Sequence, residues 1–312
     1  HQFNVRDVHL LVNPMFHCTA LYSSLPTAAY TRTPVVITAA TDAVPLMELV
    51  RRERVTTFLS VPPLFQRIAA LPAAAGAAPD SLRLMAYAGS LMPVATIRAL
   101  RQRYPGVALH NFFGLTETIS MTHVLPGDEA DARPDSIGRL LPFVEAQVVD
   151  PATRATLPPG QVGELLFARE VVIPGYADQP GKLEESLVVI GGRAWFRTGD
   201  LASVDEEGYF FIKGRSKEMI IVGGENVYAA EVESVLLAHP GVAEAAVKGV
   251  PATGVRAALG EVVRAFVVAR DPALTEKALR GWCFARLASF KVPVEIVFRD
   301  ALPHTETGKL LR

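Results

Sequence analysis

Five stretches of this chain carry residue types suited to binding and activating small charged molecules. In "FFGLTET" (112–118) Gly114 permits a tight turn after a strand, Thr116 offers a hydroxyl and a backbone N–H, and Glu117 offers a carboxylate. Carboxylate oxygen suits a hard cation such as magnesium, which keeps several waters and bridges to phosphate. Phe113 can present a flat face to a purine. The same pattern also suits a capped turn with a surface glutamate. In "WFRTGDL" (195–201) Asp200 follows Thr198 and Gly199, and a short turn is expected there. An aspartate so held either accepts both hydroxyls of a ribose or closes the turn. Arg215 ends the strand pattern "GYFFIKGR" (208–215) and can fork onto the same sugar or a phosphate, with Lys217 two residues on. Gly223 and Gly224 in "VGGEN" (222–226) let a backbone bend or pass close to a ligand, or simply join a strand to a helix. Finally, "HTETGKLLR" (304–312) puts Lys309 at the extreme C-terminus, as a solvated tail or as a cation on a mobile loop.

The elements that must position these residues follow from periodicity. "VHLLV" (8–12) reads as a buried strand, and "PLMELVRRERVTTFLSV" (45–61) as an amphipathic helix followed by a strand. "SLRLMAYAGS" (81–90) is a strand entering a small-residue turn, "MPVATIRALRQRY" (92–104) a helix, and "GVALHNFFG" (106–114) a strand ending in glycine. This alternation predicts an α/β layer with parallel strands, whose ligands lie beyond the strands' carboxyl ends. Near residue 140 the texture becomes β-rich, with "VEAQVVD", "GELLFARE" and "GYFFIKGR" separated by Gly, Pro and acidic turns. From about residue 217 onward helices and strands mix again, over enough chain for a small α+β domain.

Composition narrows the classes. The 312 residues are half hydrophobic and carry a formal net charge of -1, enough for a substantial core and without the basic footprint of a nucleic-acid binder. Cys18 and Cys283 lie far apart, which suggests neither a metal spacing nor a disulfide framework and fits a reducing, cytoplasmic setting. No apolar run approaches a membrane span and no signal peptide is evident. The first residue is His1, which suggests part of a longer product.

Taken in order, "FFGLTET", "GELLF" with "GY", "WFRTGDL", "GYFFIKGRSKEMIIVGGENVYAAEVE", "HPGVAEAAVKGVP", "FKVPVEIVF" and "LPHTETGKLLR" resemble the acyl-adenylating superfamily, in its acyl-CoA synthetase branch. The resemblance covers nearly the whole chain. It implies the C-terminal part of a large layered α/β adenylating domain (1–216, β-rich from about 140) and a small mobile α+β domain (217–312). It also implies a two-step reaction with ATP, Mg2+ and coenzyme A. A carboxylate attacks the α-phosphate to give an acyl-adenylate and pyrophosphate, and a thiol then displaces AMP to give a thioester. By resemblance Lys309 is the cation that offsets repulsion between the two anions, Thr116 contacts phosphate, and Glu117 holds magnesium. Phe113, where tyrosine is commoner, would stack on adenine after Gly114's strand, and Gly89, Ser90 and Leu91 would line its other side. Asp200 and Arg215 would hold the ribose hydroxyls. Lys217 matches the hinge of the small domain, and Gly223 and Gly224 match the pantetheine passage. "NPMFHCTALY" (13–22) resembles the segment bordering the acyl pocket. His17 stands there where amino-acid-activating relatives commonly carry an aspartate, which disfavours an amino-acid substrate; it also fits a satisfied structural histidine.

Three departures stand out. The family's Gly-, Ser- and Thr-rich phosphate loop with its Pro-Lys-Gly should precede His1 and has no match, so a missing N-terminal segment is an expected partner. Ala229 stands where proline is usual, and Ala177 where an aromatic is common. Two alternatives to a CoA ligase remain: acyl transfer to the pantetheine of a carrier protein, and a truncated nucleotide-binding remnant without catalysis. The acid itself is not legible.

Overall fold

The computed structural model describes residues 3–72, 79–90, 92–119, 121–130, 132–305 and 310–311. The chain divides into two compact units: residues 1–161, 166–198 and 204–211 form one, and residues 162–165, 199–203 and 212–312 the other.

The first unit is built on a seven-stranded sheet of β1 (His9–Leu11), β2 (Val35–Ile37), β3 (Thr57–Ser60), β4 (Leu84–Ala88), β5 (Ala108–Gly114), β6 (Met121–Leu125) and β7 (Arg139–Leu140), in the order β2-β1-β3-β4-β5-β6-β7. The first five in that order are parallel. β6 and β7 join antiparallel. All four residues of β3 are buried, as a central strand covered on both faces requires. The register aligns Leu10, Phe58, Met85 and Leu109 on one face. There they form the main core with α2 (Ala43–Arg52), α3 (Pro62–Ala69) and α4 (Val94–Arg103). Helix α2 reaches this core through Ala43, Leu46, Met47 and Val50, a 3.6-residue stripe. The opposite face aligns His9 with Thr57 and Leu84, then Leu59 with Ala86 and His110, then Ala88 with Phe112. A π-helical stretch, Thr19–Ser24, runs into α1 (Leu25–Thr31). No helix among the described residues is long and apolar enough to cross a membrane.

From residue 139 to 215 the chain holds only strands and short turns, as its texture predicts: after β7 come β8 (Ala146–Val149), β9 (Gly163–Ala168), β10 (Leu187–Ile190), β11 (Arg193–Val204) and β12 (Phe210–Arg215). β10 and β11 form a hairpin, Leu187 opposite Phe196. One sequence expectation is corrected here. Thr198, Gly199 and Asp200 lie inside the twelve-residue strand β11 and not in a turn. Gly199 absorbs a φ of 72° in mid-strand, a conformation open to glycine that lets the strand bend without ending.

The second unit carries the hairpin β13 (Met219–Val222)–β14 (Glu225–Tyr228), helices α5 (Ala229–Leu237) and α6 (Glu276–Phe284), and the strands β15 (Val242–Pro251), β16 (Glu261–Ala269) and β17 (Glu295–Phe298). β15 pairs antiparallel with β16, and β16 parallel with β17. Val232, Leu236, Val247, Ala265, Leu279 and Cys283 are among its core residues. The small α+β body expected from residue 217 onward therefore has a core of its own. Gly223 and Gly224 form the two-residue turn of the β13–β14 hairpin, both with positive φ, rather than a strand-to-helix link.

His123, on β6, is fully buried among the rings of Phe113, Phe167 and Phe210. Burial pushes its imidazole down to about 3 from an ordinary 6.5. His9 and His110 shift downward too, burial again the largest cause. Below 6.5 the unfolded chain gains a proton on His123 that the folded chain refuses until about 3, so stability falls as pH drops through that window. Each such group steepens the fall by at most about 1.4 kcal/mol per pH unit. In His123→Gln, urea unfolding measured between about pH 6 and about pH 4 is expected to show a slope shallower by about 1 kcal/mol per unit; an unchanged slope would show that His123 is not kept neutral by the fold.

Candidate active site

In the first unit, the carboxyl ends of β4 and β5 lie side by side, since Ala88 pairs with Phe112. Gly89 and Ser90 follow β4 as an exposed turn, with Gly89 at φ 89°. Leu91 lies outside the described residues. After Gly114, the last residue of β5, the chain turns through Leu115–Ile119. The turn is stapled by its own Thr118, whose Oγ1 accepts from the Leu115 amide (2.9 Å) and donates to the Leu115 carbonyl (3.0 Å). This double bond leaves Thr116 exposed and Glu117 half-buried.

Glu117 does not hang free. Tyr176 Oη donates to Glu117 Oε1 at 2.7 Å, and the Ile173 amide donates to the Glu117 carbonyl at 2.8 Å. Burial, and next the carboxylate it faces, push the Tyr176 phenol up to about 12, so it stays a donor at any physiological pH. Thr116 Oγ1 donates to Cys18 Sγ at 3.8 Å, which brings the segment after Pro14 to the same turn. His17, half-buried, accepts from the Thr19 amide through Nδ1 at 3.2 Å. Phe113 meets the His123 ring edge-on, 5.6 Å between centroids. The structure thus gathers His17, Gly89, Ser90, Phe113, Gly114, Thr116 and Glu117 around the carboxyl ends of parallel strands.

Three contributors escaped sequence reasoning. Tyr176 sits far along the chain from Glu117, and no spacing rule links them. Asn111, buried in β5, donates through Nδ2 to the Ser136 carbonyl at 2.9 Å. Ser136 Oγ in turn donates to the Phe210 carbonyl (2.8 Å) and accepts from the Gly138 amide (2.9 Å). Gly138 has φ 88°, and a Cβ there would collide with the Val124 carbonyl, so only glycine fits this clasp behind the site. A polar residue inside the apolar strand "ALHNFFG" was the available signal for Asn111.

In the second unit, Arg215 Nε donates to Asp200 Oδ1 at 2.7 Å, with the aspartate side chain almost fully buried. The pair is a charge-assisted bond that fixes both groups. Lys217 is exposed in the short 3-10 turn Ser216–Glu218. The Gly223 amide donates to the Leu259 carbonyl at 2.8 Å, and Glu261 accepts from the Ile221 amide at 2.9 Å, so the glycine turn is braced from the loop before β16. Lys309 lies outside the described residues; on either side of it His304 bridges to Leu310, and the Leu311 amide donates to the Pro303 carbonyl at 2.9 Å.

No group of three or more His, Cys, Asp or Glu side chains fit to hold a metal occurs among the described residues. A lone carboxylate oriented by a phenol fits magnesium that takes its other ligands from phosphate and water.

The AMP-binding enzyme profile matches residues 1–177, and the AMP-binding enzyme C-terminal domain profile matches residues 231–309. The chain is 37% identical to a feruloyl-CoA synthase of Amycolatopsis over 305 residues, 97% of this chain and 60% of that protein. It is 42% identical to a long-chain-fatty-acid–CoA ligase of Escherichia coli over 226 residues, 72% of this chain and 38% of that protein. It therefore spans well under two thirds of these relatives. The o-succinylbenzoate CoA synthetase of Bacillus subtilis, solved with its acyl-adenylate intermediate, superposes with a TM-score of 0.87 at 29% identity, covering 100% of this chain and 61% of that one. The same enzyme solved with ATP and a magnesium ion gives 0.86 at 29% identity, covering 100% and 62%. With its profile covering more than half of the sequence, and the C-terminal profile following in order, the chain belongs to the AMP-binding enzyme family.

Proposed function

We propose that this chain is the larger C-terminal portion of an AMP-forming acid–CoA ligase. The observation that carries the proposal is the stapled turn after β5: an exposed Thr116 hydroxyl and a phenol-oriented Glu117 carboxylate at the carboxyl ends of parallel strands. Relatives that make CoA thioesters from feruloyl and long-chain acids support it.

The first step joins a carboxylate oxygen to the α-phosphorus of ATP and breaks the bond to pyrophosphate. Two anions must approach, so cationic and hydrogen-bonding groups set the rate. Thr116 donates to phosphate oxygen. Glu117 would hold magnesium, which neutralises phosphate charge, while Tyr176 fixes the rotamer of the carboxylate. Phe113, Gly89, Ser90 and Leu91 hold the adenine, and Gly114 keeps the strand end open to it. Asp200, aligned by Arg215, accepts the ribose hydroxyls. His17 borders the acid. Lys309 reaches the carboxylate and phosphate as charge builds. In the second step the coenzyme A thiolate attacks the acyl carbonyl and AMP leaves. Residues 217–312 act as the mobile domain, Lys217 as its hinge, and the braced Gly223–Gly224 turn as the pantetheine passage. A carrier-protein thiol presents the same arm and is the competing acceptor. The segment with the phosphate loop completes the large domain, and the two free thiols fit the cytoplasm as the site of action.

Variants of the full-length protein test these roles. Lys309→Ala is expected to lower acid-dependent pyrophosphate exchange at least about a hundredfold, while thioester formation from supplied acyl-adenylate changes little. Lys217→Pro is expected to do the reverse, because a fixed φ locks the hinge. Equal losses in both half-reactions for either variant would remove its assigned role. Tyr176→Phe is expected to raise the magnesium concentration for half-maximal exchange roughly tenfold, and Glu117→Gln more; a magnesium dependence that neither variant moves would reassign Glu117 to structure.

A further inference from the structure

β5 and β6 pair out of step at the end nearest the candidate site. Phe113 lies opposite His123, but Gly114 lies opposite Met121, so Thr122 is an extra residue in the ladder. Such a bulge bends its strand and re-aims side chains, and bulges gather beside active sites. The Thr122 hydroxyl stands in for the displaced ladder bond by donating to the Phe113 carbonyl at 3.2 Å. The same oxygen lies 2.9 Å from His123 Nδ1. A hydroxyl has one hydrogen, and with that hydrogen on the carbonyl its lone pairs accept from Nδ1–H. A relay thus runs from the imidazole through Thr122 to the backbone of Phe113.

The imidazole also meets the Phe113 ring directly. The two centroids are 5.6 Å apart and the planes cross at 73°. Phe210 and Phe167 stand against the same imidazole at 4.6 Å and 5.9 Å. His123 is fully buried, while Phe113 is only half-buried. An apolar side chain of similar size would fill a box of three phenyl rings without burying a nitrogen. His123 instead keeps Nε2 buried with no hydrogen-bond partner, which is costly and rare. What the imidazole adds over an apolar side chain is one directional bond, and the relay carries that bond to Phe113. Ring contact and relay therefore converge on a single residue, one on its phenyl plane and the other on its backbone.

We infer that His123, acting with Thr122, is a positioning residue for Phe113: it holds the phenyl ring ready for the purine, and so sets affinity for the nucleotide without touching it. A ring ordered in advance spares the nucleotide the entropy of ordering it on binding. The inference rests on the reading above that Phe113 stacks on adenine.

The test uses full-length protein, acid-dependent pyrophosphate exchange and the KM for ATP, which does not depend on how much enzyme is folded. His123→Leu removes both ring and relay, Thr122→Val removes only the relay, and Phe113→Ala removes the ring that both serve. The KM for ATP is expected to rise roughly three- to tenfold in His123→Leu and about threefold in Thr122→Val, with kcat and the KM for the acid held within about twofold. In a Phe113→Ala background, where that KM is already raised, His123→Leu is expected to add nothing further, because the two residues act through one contact. A purely structural histidine would instead change the KM for ATP equally, or not at all, in both backgrounds. Either of those results would overturn the inference and leave the ligase reading intact. If His123→Leu gives no folded protein, Thr122→Val decides by the same comparison. A KM for ATP that Phe113→Ala itself leaves unchanged would overturn the inference through its stacking premise. Absence of acid-dependent exchange in the wild type would overturn the ligase reading as well.

Discussion

Parallel strand pairing is the constraint on which the first unit depends. Two parallel neighbours cannot be joined by a hairpin; the chain must cross back, usually through a helix, before the next strand begins. The succession β2-β1-β3-β4-β5 applies that rule repeatedly, and so delivers every carboxyl end to one edge of the sheet. The Gly89–Ser90 and Gly114–Ile119 turns share that edge for this reason alone. Where the rule stops, at the antiparallel β5–β6 pair, the chain doubles back immediately, and the turn that carries Thr116 and Glu117 is short enough for a single side chain, Thr118, to staple it.

Around that frame, several buried polar groups tie one element to another. From the mostly apolar strand β5, Asn111 grips Ser136, and Ser136 grips the start of β12 at Phe210. Tyr176 gives its hydrogen to Glu117. In the second unit Glu233 accepts from the Val247 amide at 2.8 Å, tying α5 to β15, while Lys291 pairs with Glu231 on the same helix at 2.8 Å. The bonds to Glu117, Glu233 and Glu231 are charge-assisted and the others neutral, each fixing one element against another, while apolar burial builds the two cores.

What the sequence disclosed was what local pattern can encode. The apolar runs around Phe58, Met85 and Leu109 read as strands, and the stripe through Leu46, Met47 and Val50 read as a helix, because burial on a regular element imposes a period. The motif residues Thr116, Glu117, Asp200 and Arg215 stood out by type and order. The turn assigned to Asp200 failed because Gly199 allows a positive φ without ending a strand, and tertiary pairing, not the tripeptide, decided between the two. Tyr176 and Ser136 were silent because each matters through a partner distant in sequence: Glu117 and Asn111. Hydrogen-bond satisfaction is a property of the folded neighbourhood, and no periodicity records it.

One feature at the sheet's margin bears on how the molecule behaves among its own copies. β7 is only two residues long, and its Arg139 is drawn away over the ring of Tyr209, 4.2 Å from guanidinium to centroid, with a 2.6 Å bond to the phenol oxygen. An edge this brief, bearing a cation, gives an incoming strand almost no ladder to extend. The seven-stranded sheet is thereby closed to growth on that side, and crowding at high concentration will find no template there for fibril-like stacking.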